Sequence, residues 1–214
     1  MLKVGLTGGI ASGKSVVGEM FVSLGAHLAR ADDIAHQLML PGQPVYNEVV
    51  RHFGSSILHA DGSVDRSRLA EAAFSKAADS ATSRIEELNR IVHPAVIRRQ
   101  DEWMEEMGRQ DPHAVAIVEA ALILEAGAAK RFDRLIVVTC GDDQRIARFA
   151  ARQKLDREAA RKEVSRRMAA QLPEQEKIKA ADYIIDNSVS LDRTQDQVRQ
   201  LWEKLRSEAI AKER

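Results

Sequence analysis

Gly8-Gly9-Ile10-Ala11-Ser12-Gly13-Lys14-Ser15 fits the pattern G-x-x-x-x-G-K-[ST] and directly follows the apolar stretch Val4-Gly5-Leu6-Thr7. The chemistry this implies is binding of a nucleoside triphosphate. A phosphate chain must lie against bare backbone, so glycines let successive N–H groups converge on its oxygens while the following helix offers its positive end. Gly9, Ile10, Ala11, Ser12 and Gly13 would form that cradle, with Val16 closing the run. Lys14 would reach the β- and γ-phosphates, and the Ser15 hydroxyl would ligate Mg²⁺. Beyond the loop, the chain can continue as a helix that buries Val17, Met20 and Phe21.

Switch GTPases, motor ATPases and small-molecule kinases all carry such a loop, so other residues must discriminate among them. The guanine-reading pattern N-K-x-D and its companion D-x-x-G are absent from the sequence. Val115-Ala116-Ile117-Val118-Glu119 ends in a single Glu, where a remodelling ATPase would show Asp-Glu. A small-molecule kinase needs a carboxylate at the tip of the strand beside the loop, because an alcohol attacks poorly until a base takes its proton. Asp32, just after Ala26 to Arg30, is placed for that work; the alternative is that Asp32 or Asp33 caps the next helix.

Those groups must be held by a scaffold, and short apolar runs separated by amphipathic, charged stretches predict a mostly parallel sheet between helices. The strand candidates are Lys3 to Thr7, Ala26 to Arg30, Ala114 to Ala120, Leu135 to Cys140 and Asp182 to Asp186. Between the second and third lies an insert of about eighty residues, too long for a simple crossover. It pauses at Pro41-Gly42-Gln43-Pro44, turns at Asp61-Gly62 and resumes as helix from Arg66, which predicts a helical lobe. Pro94 predicts a helix break beside His93. From Asp142 to Lys179 the pattern is helical and charged, including Arg145, Arg148, Arg152 and Lys177, and most of these charges are expected to face solvent in i,i+4 pairs. A last helix, about Asp192 to Lys212, would bury Val198, Leu201, Trp202, Leu205 and Ile210.

Of the 214 residues, 32 are Lys or Arg and 32 are Asp or Glu, so no overall basic field advertises nucleic acid. Cys140, the single cysteine, ends an apolar run and is expected to be a packed thiol in a reducing compartment. No charged-then-apolar leader and no membrane-length apolar run is visible, so a cytoplasmic protein is expected.

The opening Val4 to Ser15, Ala31-Asp32-Asp33-Ile34-Ala35-His36, Pro41-Gly42-Gln43-Pro44-Val45-Tyr46 and His52-Phe53-Gly54 together resemble the dephospho-CoA kinase family. Asp61-Gly62-Ser63-Val64-Asp65-Arg66, Ile91-Val92-His93-Pro94, Leu122-Ile123-Leu124-Glu125 and Ala181-Asp182-Tyr183-Ile184-Ile185-Asp186-Asn187 extend that resemblance, in order, over nearly the whole chain. It implies an α/β phosphate-loop kinase fold with a five-stranded parallel sheet, a helical CoA-binding insert and a helical lid. The implied division is 1–32 and 112–214 for the core, about 142–179 for the lid and 33–111 for the substrate lobe. The implied reaction is ATP-dependent phosphorylation of the ribose 3′-hydroxyl of dephospho-CoA, with Mg²⁺. A monomer or weak homo-oligomer is expected, without nucleic-acid or membrane partners.

The same resemblance implies individual roles. Asp32 is the base, and Arg148 and Arg152 match the R-x-x-x-R spacing at the family's lid, meeting charge on the transferring phosphate. Ser15, Asp32 and Glu119 would serve Mg²⁺, and Asn187 the nucleotide. His36, Tyr46, Phe53, Arg66, His93 and Leu122 would meet the acceptor, Arg66 through a bidentate grip on its pyrophosphate. For the two aromatics, core packing is the alternative. The chain departs from the family pattern at Ala11, where Gly is common, at Arg30, where the first Asp of D-A-D stands, and at Glu119-Ala120-Ala121, where Asp-Val-Pro is frequent. Ala11 suits the cradle if its φ is negative. Rival readings are a kinase of the same architecture acting on a nucleoside, a nucleotide or a polyol, a nucleotide-gated regulator, and a nucleic-acid module built on the arginine-rich helices.

Overall fold

The computed structural model describes residues 1–74 and 84–212; positions 75–83, within the predicted insert, and 213–214 lie outside the described residues. The strands β1 (Leu2–Gly8) and β3 (Val115–Glu119) are buried almost without interruption, as strands covered on both faces must be. With β2 (His27–Arg30), β4 (Arg134–Thr139) and β5 (Tyr183–Asp186) they make one parallel sheet ordered β2-β3-β1-β4-β5. All five strands lie where the apolar runs predicted them. β1 sits at the point where the strand order reverses, and ligands of open parallel sheets bind beyond the carboxyl ends of the strands at that point. Register sets the levels: Leu6 stands beside Glu119, and Glu119 beside Arg30.

The contacts divide the described chain into two units, Met1–Arg30 with Met104–Arg214, and Ala31–Trp103. In the first, α1 (Lys14–Ser23) and α9 (Leu191–Ala211) bury Val17, Phe21, Val198, Leu201, Trp202 and Leu205 in one core with the sheet. Ile210, expected in that core, is instead half exposed and Ala209 takes its place, because 201, 205 and 209 continue one helical stripe while 210 is turned about 100° away. Further on come α6 (Asp142–Gln153), α7 (Arg157–Ala169) and α8 (Glu174–Lys179). α7 starts at Asp156, whose carboxylate accepts from the Ala159 amide at 2.8 Å, and it packs Ala160 and Val164 against Ile146 and Phe149 of α6 and against Ile10. Most of the charges of α6, α7 and α8 face solvent as expected, but Arg145 of α6 and Lys177 of α8 do not: both are fully buried.

The second unit holds α2 (Ala31–Leu38), α3 (Pro44–Phe53), α4 (Arg66–Phe74) and most of α5 (Arg84–Gln110), as far as Trp103. α3 opens with Pro at its first position, where the missing N–H has no intrahelical partner anyway. The Asp61-Gly62 turn is closed by Ser63 donating to the Asp61 carboxylate, and α4 starts where the Asp65 carboxylate accepts from the Ser67 and Arg68 amides. Helix therefore resumes at Arg66, as the sequence predicted. Pro94 does not break the chain: α5 runs through it for 27 residues. Proline removes one backbone bond, and in so long a helix the cooperative turns on either side, with the proline ring exposed and Val92 and Val96 buried, hold the line. Among the described residues no helix is long and apolar enough to cross a membrane.

Candidate active site

Between β1 and α1 the loop is shaped by its glycines. Gly13 has φ 95°, a left-handed conformation, and serves as the N-cap of α1 without any side-chain cap. A Cβ on Gly9 would collide with the Arg145 guanidinium, so only glycine lets that side chain reach the loop. Ala11 also has a positive φ, 53°. The condition of a negative φ there is not met: the loop takes a left-handed residue at this point, and alanine carries a strain of about 1–2 kcal/mol. Lys14 Nζ donates to the Gly8 and Gly9 carbonyls at 3.0 and 3.2 Å, which sets its ammonium across the mouth of the cradle.

The outside of the loop is clamped. Asn187, buried just after β5, donates from Nδ2 to the Ser12 carbonyl at 2.9 Å and accepts from the Thr194 hydroxyl at 3.0 Å. Arg148 of α6 donates to the same Ser12 carbonyl and to the Asn187 carbonyl at 3.3 and 3.1 Å. A trans peptide points its C=O and N–H in opposite directions, so holding the Ser12 carbonyl from outside turns the Gly13 N–H inward. Ala11, Lys14, Ser15, Val16, Arg148, Arg152 and Asn187 line one cavity of about 340 Å³, with Leu191, which the sequence did not suggest.

Ser15 Oγ donates to Glu119 Oε1 at 2.7 Å. Glu119 is buried, and its second oxygen has no hydrogen bond among the described residues although Arg30 Nε lies 3.3 Å away. Arg30 also pairs with Glu19. A hydroxyl and a buried carboxylate with an unsatisfied oxygen, beside a triphosphate cradle, suit Mg²⁺, which takes one or two protein oxygens and completes its shell with phosphate and water. The uncapped N-terminus of α1 and the glycine-shaped loop likewise suit a nucleotide phosphate chain. Cys140 is the packed thiol expected: burial pushes its pKa up, against the lowering influence of Arg145 and Arg148.

In the second unit a cavity of about 550 Å³ brings His36 of α2 together with Arg66 of α4, and also with His59 and Asp65, which the sequence did not single out. Tyr46 and Phe53 are not among its lining residues. The Tyr46 hydroxyl donates to the Gly62 carbonyl at 2.6 Å, and Phe53 is buried with the Arg84 guanidinium 4.6 Å from its ring centre. His93 is half-buried within α5, where burial pushes its pKa below the ordinary 6.5. Asp32 is exposed in the first turn of α2, after Ala31, and its carboxylate makes no hydrogen bond or ion pair among the described residues. It is therefore inside the helix and does not cap it. Leu122 lies in the first unit, on the connection after β3, and does not line the loop cavity.

A parallel sheet of this order, with a phosphate loop at its reversal point and a hydroxyl–carboxylate pair beside it, defines a phosphate-loop kinase fold. The solved structure of TT1252 from Thermus thermophilus is similar, with a TM-score of 0.74, 29% identity, and coverage of 95% of this chain and 97% of that one. The same fold is seen in dephospho-CoA kinase from Campylobacter jejuni, with a TM-score of 0.68, 24% identity and coverage of 96% and 97%. Residues 2–193 match the dephospho-CoA kinase family. A dephospho-CoA kinase from Syntrophotalea carbinolica is 39% identical over 205 residues, covering 96% of this chain and 92% of the relative. One from Aquifex aeolicus is 35% identical over 205 residues, covering 96% and 98%. The chain belongs to the dephospho-CoA kinase family, and it is a kinase of the transferase class.

Proposed function

We propose that the chain transfers the γ-phosphoryl group of ATP to the ribose 3′-hydroxyl of dephospho-CoA, giving coenzyme A and ADP, the last step of coenzyme A synthesis. Membership of the family over residues 2–193 is the observation that carries this reading. The residues supply a division of labour that supports it. The loop from Gly9 to Gly13 receives the phosphates on backbone amides, and Lys14 leaves the Gly8 and Gly9 carbonyls to bridge β and γ. Ser15 and Glu119 hold Mg²⁺, which offsets the charge of the phosphates when bound, and Asp32 serves the same ion or its waters. Asp32 takes the 3′-hydroxyl proton as the new O–P bond forms and the bond from the γ-phosphorus to the β,γ-bridging oxygen breaks. Arg148 and Arg152, four residues apart on α6, meet the charge that develops on the phosphoryl oxygens.

The lobe at 33–111 takes the acceptor: Arg66 grips its pyrophosphate, with His36 in the same cavity, and His93, Tyr46 and Phe53 contribute more weakly, as does Leu122 from the core outside the lobe. The segment at about 142–179 is the lid. Within it, α8 is anchored by Arg145–Glu174 and Lys177–Glu125 ion pairs of 2.9 and 2.8 Å, so movement falls on α7 and its exposed arginines. The working protein is a cytoplasmic monomer or weak homo-oligomer, without nucleic-acid or membrane partners.

Steady-state kinetics of Arg66→Ala test the assignment. A charge-assisted bidentate contact is worth about 1.5–3 kcal/mol, so KM for dephospho-CoA should rise about ten- to hundredfold while KM for ATP stays within about twofold. A rise in KM for ATP alone contradicts the division between lobe and loop.

A further inference from the structure

Arg145 has the largest fully buried side chain among the described residues, in a helix whose other two arginines, Arg148 and Arg152, line the loop cavity. It precedes Arg148 by three residues and Arg152 by seven, so all three stand on one face of α6, with Arg145 at the inner end. Its Nη1 donates to the Ile10 carbonyl at 3.0 Å. Its Nη2 donates to the Cys140 carbonyl at 3.0 Å and to Glu174, the first residue of α8, at 2.9 Å. Nε lies 3.7 Å from Asp142 and makes no hydrogen bond. An arginine that served only an ion pair would need neither the loop carbonyl nor the glycine at position 9 that makes room for it.

The Ile10–Ala11 peptide gives this arrangement its use. Because C=O and N–H of a trans peptide point in opposite directions, a carbonyl held by Arg145 from behind turns the Ala11 N–H away from the protein side. That N–H has no backbone acceptor among the described residues. The Ser12–Gly13 peptide is set in the same way by Asn187 and Arg148, so two alternate peptides of the loop are fixed from outside before any phosphate arrives. We propose that Arg145 is a positioning residue for phosphoryl transfer: it holds the Ile10–Ala11 peptide so that the Ala11 N–H faces a nucleotide phosphate, and its pair with Glu174 ties that setting to the start of α8. The inference rests on the reading above that the loop holds ATP.

Full-length wild type is compared with Arg145→Met, Arg145→Lys and the double variant Arg145→Met/Glu174→Met, measuring MgATP binding by calorimetry, melting temperature without nucleotide, and KM for dephospho-CoA. Losing one preset donor to a charged phosphate should weaken MgATP binding about ten- to hundredfold in Arg145→Met. Arg145→Lys should recover part of that loss. Removing both charges should restore the melting temperature in the double variant and leave MgATP binding weak, with KM for dephospho-CoA unchanged. Recovery of binding together with stability in the double variant would reduce Arg145 to a packing role and overturn the inference, as would an Arg145→Met variant that binds MgATP like wild type. Wild type that fails to bind MgATP would remove the ATP reading itself, and the inference with it.

Discussion

Asp32 stands in the first turn of α2, exposed and without a partner among the described residues, so its carboxylate is neither consumed by capping nor neutralised by an ion pair. That is the state a proton acceptor needs, and a positioned base typically contributes about 10²–10⁴ in rate. Asp32→Asn is therefore expected to lower transfer by that factor while affinity for ATP without Mg²⁺, followed by calorimetry, stays as in wild type; a loss of less than about tenfold would remove the base role. Ala11 raises a different question. Its φ of 53° strains the folded loop by about 1–2 kcal/mol, whereas glycine loosens the unfolded chain by about 0.4–1 kcal/mol, so the strain term is the larger. Ala11→Gly should raise the melting temperature by about 1–4 °C, and a fall would mean the loop does not hold Ala11 left-handed. The loop, Lys14 and Ser15 were legible because their spacing is local, and their chemistry follows from residue type. Arg145 was not, because only the tertiary fold decides that one arginine of a charged helix is buried against Ile10 and Cys140. Its spacing to Arg148 and Arg152 was the available signal.

At the scale of elements, the apolar runs located every strand because a parallel sheet buried on both faces leaves little choice of residue. Helix α4 began where the turn and the acidic Asp65 placed it. Pro94 misled, since a local breaker was overridden by the cooperativity of a 27-residue helix. His93, beside it, gives that helix a pH dependence whose sign follows from burial. Desolvation holds its folded pKa below the unfolded 6.5, so the unfolded chain binds the proton more readily. The contribution is favourable above pH 6.5 and is lost as pH falls below it towards the depressed folded value. Urea unfolding between pH 7.5 and 5 should show stability declining with acid in wild type and a shallower decline in His93→Gln; equal slopes would mean that His93 is not desolvated.

At the scale of the whole molecule, equal numbers of acidic and basic residues mean that substrate charge is met locally. The cationic side chains are grouped to match: Lys14 lines the loop cavity with Arg148 and Arg152, and Arg66 lines the cavity of the other unit with His36. The fold class could be anticipated from the alternation of strand and helix. The lining of each cavity could not, because it depends on which faces of separate helices meet. Family membership supplies the reaction, and the central claim is that the acceptor is dephospho-CoA. The direct measurement is transfer of labelled γ-phosphate from MgATP to a panel of dephospho-CoA, adenosine, AMP, CMP, shikimate and gluconate, with products separated by chromatography. Label confined to coenzyme A is the predicted result; label in another acceptor, or only in free phosphate, would contradict it.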